Sequence, residues 1–512
     1  MLQICPEGWL IWLVTGLLFA TVVHVAHEAY FSDLRKIPGP LLAKFSILYR
    51  ILMVRQGHAP MEYRRLHSQY GHIVRTGPKH VSVSDPDMIP VIYGIGSKFK
   101  KTPFYMTMAP IYEGSRMDSL FTERDPQTHK TLKTQIAQVF SMTNMRNFEP
   151  YADECTKIFM DSMLDPDGQV IDFAQWLQWY AFDVIGSITF QHRFGFLEER
   201  RDVDSMIQKI NNGLEYVKVI GQSEWLVALF DILSTLKWIK SMHLWPDTME
   251  RFLEITESEL VQYDCESKDP ARTDFLSQLR AKQLNSGKIS SRDMMNHLSN
   301  NLLAGSDTTG ISLRAVFYYV IRDSRVSTKL VSEIDSADAK GKLSEFVTYN
   351  ESLELPYLQA VLKEAMRMHP AVGFPLERYT PAEGAEICGY SLPPGINVSI
   401  SAPVIHLNKE VFGEDAEHFR PERWIEANEE QLKAMNRSFL AFGHGTRTCI
   451  GKNISLMEMG KFVPQIFRHF QIEWKSPSPE WNLHAAWFWK QSDMLVSLTS
   501  RVRKQDEIEI LS

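Results

Sequence analysis

The stretch AFGHGTRTCIG, residues 441–451, decides how the rest of the chain is read. Three glycines (Gly443, Gly445, Gly451), an arginine (Arg447) and a cysteine (Cys449) stand just before an apolar run with helical spacing. Glycines let a backbone come close to something flat and bulky. A helix start favours negative charge, so this position is expected to lower the cysteine pKa and favour thiolate. Arginine offers a fixed fork suited to a carboxylate. Thiolate, flat close approach and a carboxylate partner together suit a haem, with iron on the sulfur and a propionate on Arg447. Thiolate ligation pushes electron density onto iron and favours O–O cleavage. Two other readings stay open here: Cys449 as a nucleophile with His444 as its base, or a plain buried thiol.

Working outward, the other cysteines (Cys5, Cys155, Cys265, Cys388) are scattered and never spaced as CxxC. This argues against a disulfide framework and against a zinc or iron–sulfur site built from several cysteines. A net charge of -7 without basic clustering excludes a nucleic-acid-binding surface. The 512 residues show no repeat, no low-complexity segment and no linker rich enough to divide the body.

From Gly8 to His27 there is no Asp, Glu, Lys or Arg. Roughly 20 apolar residues are what a membrane-spanning helix needs, so residues 8–27 are expected to form a transmembrane anchor. Arg35 and Lys36 follow the run, which by the positive-inside tendency keeps the body in the cytosol. Residues 28–40 read as a linker ending in a Pro38-Gly39-Pro40 hinge, and 41–512 as one large domain, mainly α with a minor β part. Within it, a hairpin is expected around YGHIVRTGPKHVSVSDP and mostly helix over 125–285. Further helices are expected over about 291–323, at ELPYLQAVLKEAMRMH and from Ile450 to Phe470, and the tail reads as a strand or hairpin.

Three further motifs sit on these elements. LLAGSDTTG, residues 302–310, puts Gly305, Asp307, Thr308 and Thr309 mid-helix, where all are poor helix formers. A local distortion leaving room for a small ligand is expected, and an acid beside a hydroxyl can pass protons to bound dioxygen. In KEAMRMHP, Glu364 and Arg367 are three residues apart and share a helix face. FRPERW, residues 419–424, supplies Arg423 to join them.

The order AGSDTT, ExxR, PERW and FGHGTRTCIG resembles the cytochrome P450 family of haem-thiolate monooxygenases, and the resemblance spans nearly the whole chain. The anchor and hinge resemble its endoplasmic-reticulum members. VGFPLERYTPAEGAEICGYSLPPGINV and VFGEDAEHFRPERW resemble filamentous-fungal members such as the pisatin demethylase-like group. The resemblance implies the cytochrome P450 fold and haem b (iron protoporphyrin IX), with Cys449 as axial iron ligand and Gly443 in its loop. It implies Thr308 and Asp307 as the oxygen-activating alcohol and acid, and Gly305 beside the oxygen site. Glu364, Arg367 and Arg423 become a structural network holding the cysteine loop. Arg447 becomes a propionate partner, with His129, Lys133 and Arg378 as further candidates. Lys133 stands where the family usually has Arg and lacks the bidentate fork.

The implied reaction inserts one atom of dioxygen into an organic substrate while the other leaves as water. Two electrons come from NADPH through NADPH–cytochrome P450 reductase, with cytochrome b5 a further electron-donor candidate. Lys130, Lys133, Arg447 and Lys452 offer a proximal docking face. Expected substrate-facing residues are Phe104, Met117, Leu120 and Phe121, then Leu303 and Ala304. Val372, Phe374 and Leu376 follow, and Trp487, Phe488 and Trp489 near the end. Their apolar character points to a lipophilic fungal secondary metabolite of terpenoid, polyketide or indole-alkaloid type. The expected location is the endoplasmic-reticulum membrane, single-pass, with the catalytic domain in the cytosol. Two alternatives compete: a haem-thiolate isomerase or dehydratase that needs no NADPH, and a non-enzymatic haem gas sensor.

Overall fold

A computed structural model describes residues 6–164, 168–235, 249–265 and 272–501. The elements that matter to the site are eight helices: α1 (Pro6–Tyr30), α2 (Pro126–Ile136), α3 (Phe173–Phe190), α4 (Met206–Ile220), α5 (Glu250–Cys265), α6 (Ser291–Arg322), α7 (Pro356–Met368) and α8 (Lys452–His469). With them stand seven short strands: β1 (Ile73–Gly77), β2 (His80–Val83), β3 (Lys100–Lys101), β4 (Arg378–Tyr379), β5 (Asn397–Ile400), β6 (Asn482–Ala485) and β7 (Trp489–Ser492). The mainly helical architecture with a minor sheet agrees with the sequence reading.

Helix α6 is the axis of the molecule. Ser290 starts it with a capping box: its hydroxyl accepts from Asp293 N at 3.0 Å, and Asp293 accepts from Ser290 N at 3.2 Å. This satisfies two of the amides a helix start leaves open. The helix then runs 32 residues without a break. The weak helix formers Gly305–Thr309 therefore do not break it; the tertiary packing around a buried helix outweighs weak local propensity. What Gly305 supplies is closeness. A Cβ there would fall 2.7 Å from Ile185 Cδ1, so α3 and α6 could not pack as they do.

The largest core cluster joins α3, α6, α7 and α8. Phe317 of α6 packs between Phe173 (5.0 Å) and Phe467 (5.2 Å). Truncating such a ring costs about 3–5 kcal/mol, so this contact fixes how α8 lies on α6. Because α8 begins directly after the cysteine loop, the same packing positions Cys449.

The main sheet has the order β1-β2-β5-β4-β3. β5 runs parallel to β2 with Val398 beside Val81, and β3 pairs antiparallel with β4, setting Lys101 opposite Arg378. The expected hairpin at β1–β2 is present. The Pro-Gly-Pro segment lies against β1, where Pro38 O accepts from Arg75 N at 2.7 Å. Among the described residues no helix is long and apolar enough to cross a membrane, so the expected spanning role of residues 8–27 is not carried by the structure. What it shows is a 25-residue helix whose Trp9, Trp12, Leu17 and Phe19 face outward.

Candidate active site

A cavity of about 820 Å³ lies between α6 and the cysteine loop. Ala304, Gly305 and Thr308 line it from α6; Phe442, Gly443, Arg447 and Cys449 line it from the loop. The loop needs its glycines. Gly443 and Gly445 have φ of 71° and 64°, and a Cβ on Gly445 would fall 2.0 Å from Tyr93 O. Cys449 N donates to Phe442 O at 2.8 Å, closing the turn.

The sulfur opens onto the cavity while the protein encloses it. Burial is the larger influence and raises the Cys449 thiol pKa, whereas the amides of Gly451 and Lys452 and the Lys452 charge lower it. This corrects the expectation of a net lowered pKa: the helix-start effect is present, and burial exceeds it. The sulfur takes its hydrogen bonds from these amides, and among the described residues none joins it to His444. The geometry gives the nucleophile–base reading no support.

The cavity's edge gathers cations. Lys101, His129, Lys133, Arg378 and Arg447 all line it. Among the described residues none of the two lysines and two arginines is paired with a carboxylate. Arg447 donates to the carbonyls of Glu123 (2.8 Å) and Arg124 (3.4 Å), Lys133 to Thr446 O at 3.1 Å, and Arg378 to Tyr105 Oη at 2.9 Å. The neighbouring carboxylate of Glu377 is spent on Arg50, Thr102 and Asn397. Burial and mutual repulsion disfavour the charged forms of Lys101 and His129. Burial, then Arg378 and Arg447, push Lys101 well below its ordinary value; burial, then Arg447, Lys101 and Lys133, push His129 down to about 3. His129 Nδ1 is buried without a hydrogen-bond partner among the described residues. A buried set of mutually repelling donors fits a group carrying two carboxylates. Haem is such a group, with propionates at the edge and an iron for the sulfur, so the residues present fit it.

Lys101 was not legible in the sequence. Its place follows from the β3–β4 register, which sets it opposite Arg378 on the strand that ends the sheet. Lys133 and Arg447 face the cavity, so of the four residues expected to dock a reductase only Lys130 and Lys452 are exposed.

On the α6 side, Thr308 is half-buried, faces the cavity and donates from Oγ1 to Ala304 O at 2.7 Å. Asp307 does not line the cavity. It is 1% exposed, and its carboxylate accepts from Gln178 and is paired with Lys490 at 2.6 Å. The two adjacent residues therefore point to different sides of the helix.

Behind the loop, Glu364 and Arg367 are fully buried on α7. Arg367 clasps Glu364 with two bonds of 2.8 and 2.7 Å; Arg423 and Trp424 each add one of 2.8 Å. Arg367 also donates to the carbonyls of His406, Ala416 and His418. His406 carries the clasp to the cysteine loop: its Nδ1 donates to Arg367 O at 2.9 Å and its Nε2 accepts from Leu440 N at 2.8 Å. The structure brings the three residues named from sequence together and adds His406 and Trp424.

Of the expected substrate-facing residues, Leu120, Phe121, Leu303, Ala304, Val372, Phe374, Leu376, Trp487 and Phe488 line the cavity. Phe104, Met117 and Trp489 do not. Phe104 packs on Trp487 at 5.3 Å, Met117 clusters with Leu253 and Met295, and Trp489 stacks on His369 at 4.2 Å. An apolar side chain is as useful in a core as in a pocket wall, and sequence does not separate the two.

A helical body with a small sheet, a cysteine on a glycine loop and a cavity bounded by cations define a haem-thiolate protein. The family model for cytochrome P450 matches residues 38–493, and the chain belongs to that family. It is 37% identical to the cytochrome P450 monooxygenase cicH of Emericella nidulans, over 91% of this chain and 94% of the relative. It is 34% identical to the cytochrome P450 monooxygenase gsfF of Penicillium aethiopicum, covering 96% of each. It is 33% identical to the pisatin demethylase of Fusarium vanettenii, over 91% and 88%. The chain is thus an enzyme of the monooxygenase class that uses haem b on a cysteine thiolate. Membership in an enzyme class sets aside the gas-sensor reading, and NADPH dependence separates an oxygenase from the isomerase reading.

Proposed function

We propose that this enzyme oxidises a lipophilic secondary metabolite of fungal type, of terpenoid, polyketide or indole-alkaloid class, using electrons that NADPH–cytochrome P450 reductase delivers. The observation that carries the reading is the opposition of Cys449 and Thr308 across one cavity whose remaining wall is largely aromatic and aliphatic. The haem, when bound, supplies the activation of dioxygen. Cys449 would ligate its iron, and Lys101, His129, Lys133, Arg378 and Arg447 would hold its carboxylates. One oxygen atom enters a C–H bond of the substrate, and the other becomes water with two electrons and two protons.

Thr308 presents its hydroxyl at the cavity, where a proton must arrive. Asp307 is the acid behind it. Its ion pair with Lys490, whose side chain is 18% exposed, links the buried carboxylate to the outside, and the carboxylate must release Lys490 before it can serve Thr308. Removing the hydroxyl by Thr308→Ala is expected to leave haem loading intact while electrons go to peroxide or water. Product formed per NADPH, measured with added reductase, checks this; unchanged coupling refutes the role.

The same proposal places the enzyme on the endoplasmic-reticulum membrane through α1, with the haem domain cytosolic. Support comes from the uncharged run Gly8–His27, the outward Trp9, Trp12 and Phe19, and the basic Arg35 and Lys36 that follow. Alkaline carbonate extraction of microsomes tests it. Retention in the pellet is expected, and release by carbonate refutes a spanning anchor.

A further inference from the structure

The cavity wall is apolar at Ala304 and polar one and two turns earlier. Asn296, Asn300, Ala304 and Thr308 recur every four residues along α6, and all line the cavity. The two amides are locked to one another. Asn296 is 4% exposed, and its Nδ2 donates to Asp118 O at 2.9 Å. Its Oδ1 accepts from Asn300 Nδ2 at 2.8 Å, and the same Asn300 nitrogen donates to Asn296 O at 2.9 Å. An amide nitrogen has two hydrogens, so Asn300 has spent both. Exchanging oxygen and nitrogen in either amide would set donor against donor or acceptor against acceptor, so the network fixes both orientations. What is left is Asn300 Oδ1, a lone-pair acceptor without a partner among the described residues, on a side chain that lines the cavity.

The surroundings have the same polarity. α5 packs on α6 through Leu253 and Met295, and its Glu250, Glu254 and Glu257 also line the cavity, Glu254 paired with Arg251 at 3.1 Å. Carboxylates accept and do not donate. The lysines and arginines that line the cavity, Lys101, Lys133, Arg378 and Arg447, all belong to the haem edge.

We propose that Asn300 is a specificity-determining residue: it reads a hydrogen-bond donor, such as a hydroxyl, on an otherwise apolar substrate, and anionic compounds are poor ligands. The inference rests on the substrate cavity of the proposed oxygenase and gives it a polarity.

The test uses the full-length, haem-loaded chain, first checked for the thiolate signature of its reduced carbon monoxide complex. Failure at that step strikes the haem reading, not this one. The probes are para-phenylphenol, its methyl ether, biphenyl and the para-carboxylate, and the same four substituents on a decalin scaffold. Dissociation constants come from calorimetry and from the shift of the main haem band. The hydroxyl probe is expected to bind roughly tenfold more tightly than its ether, which can accept but not donate. Asn300→Leu should abolish that preference, and Asn300→Asp should weaken it, because a carboxylate oxygen in place of Nδ2 stands acceptor against acceptor with Asn296 and turns the group. Asn296→Ala frees the Asn300 amide to turn, so it should weaken the preference with Asn300 still present, which a purely structural role would not do. Should Asn300→Leu fail to load haem, the other two variants carry the test. Hydroxyl probes that bind no better than ethers on either scaffold, failure of all to bind included, overturn the proposal, as does a preference that survives Asn300→Leu.

Discussion

Two of the regions where this molecule buries arginine are finished differently. Around Glu364 every guanidinium is closed: Arg367 and Arg423 share its carboxylate, Arg423 adds Asp415 at 3.0 Å, and both also donate to carbonyls. At the cavity edge Arg378 and Arg447 stand with Lys101 and Lys133, repelling one another, with carbonyls and a phenol as partners and, among the described residues, no carboxylate. Arg367, Arg423, Arg378 and Lys101 are taken out of water, with Arg447 and Lys133 half-buried beside them, and a buried charge is costly unless paired. The closed set is complete within the chain and acts on structure. The open set is incomplete within the chain, and its missing anions must come with a ligand. Residue type alone does not divide structural from cofactor-binding arginines; the balance of charge around them does.

The largest effect on this contrast comes from Cys449→Ala. It should abolish the thiolate spectrum of the reduced carbon monoxide complex, while the closed network, which does not use the sulfur, persists. A normal spectrum would remove Cys449 as ligand. Next is Glu364→Ala, which strands Arg367 in the core and leaves Arg423 with Asp415 alone. A loss of about 3–5 kcal/mol is expected for breaking a buried pair, read by chemical denaturation and by lower haem content. A loss under about 1 kcal/mol would mean that the network is not closed as described.

The third prediction concerns pH. His67, His369 and His406 are held neutral by burial, with pKa values lowered to about 4, 3 and 3. The unfolded chain takes up their protons near pH 6.5 and the folded chain does not. Their contribution is therefore complete above about pH 6.5 and is lost as pH falls toward 3, by at most about 1.4 kcal/mol per pH unit for each histidine. Unfolding midpoints from pH 7 to 4 check this, and His406→Phe should flatten the slope by one proton. Last, Lys101→Met sharpens the contrast by its sign. It should slow unfolding of the haem-free chain, because one repelling charge goes, and weaken haem retention by about 1 kcal/mol, the worth of one hydrogen bond. Haem transfer to apomyoglobin measures the second effect. A fall in both would place Lys101 with the closed set.

The sequence made part of this legible. The cysteine loop, the Glu364–Arg367 spacing and Arg423 are read directly because short-range chemistry dictates their residue types. Lys101 was missed because its role depends on strand register, which joins positions 277 residues apart as Arg378 minus Lys101. Asn300 was missed because a lone asparagine in a helix has no signature; only its bonds to Asn296 give it a direction. Phe104, Met117 and Trp489 were placed in the pocket because hydrophobicity says buried and not where. His406, joining Arg367 to Leu440, lies in a stretch with no periodicity to mark it.

The unbroken course of α6 has a consequence for how product identity is set. Asn300 and Thr308 are eight residues apart on one rigid rod, about 12 Å at 1.5 Å per residue. Such a rod is a ruler with fixed graduations. A substrate gripped at one mark presents to the oxygen side whichever carbon its own length brings there. Two compounds alike in shape but differing in length between donor and C–H bond would be oxidised at different atoms, with no side chain having moved.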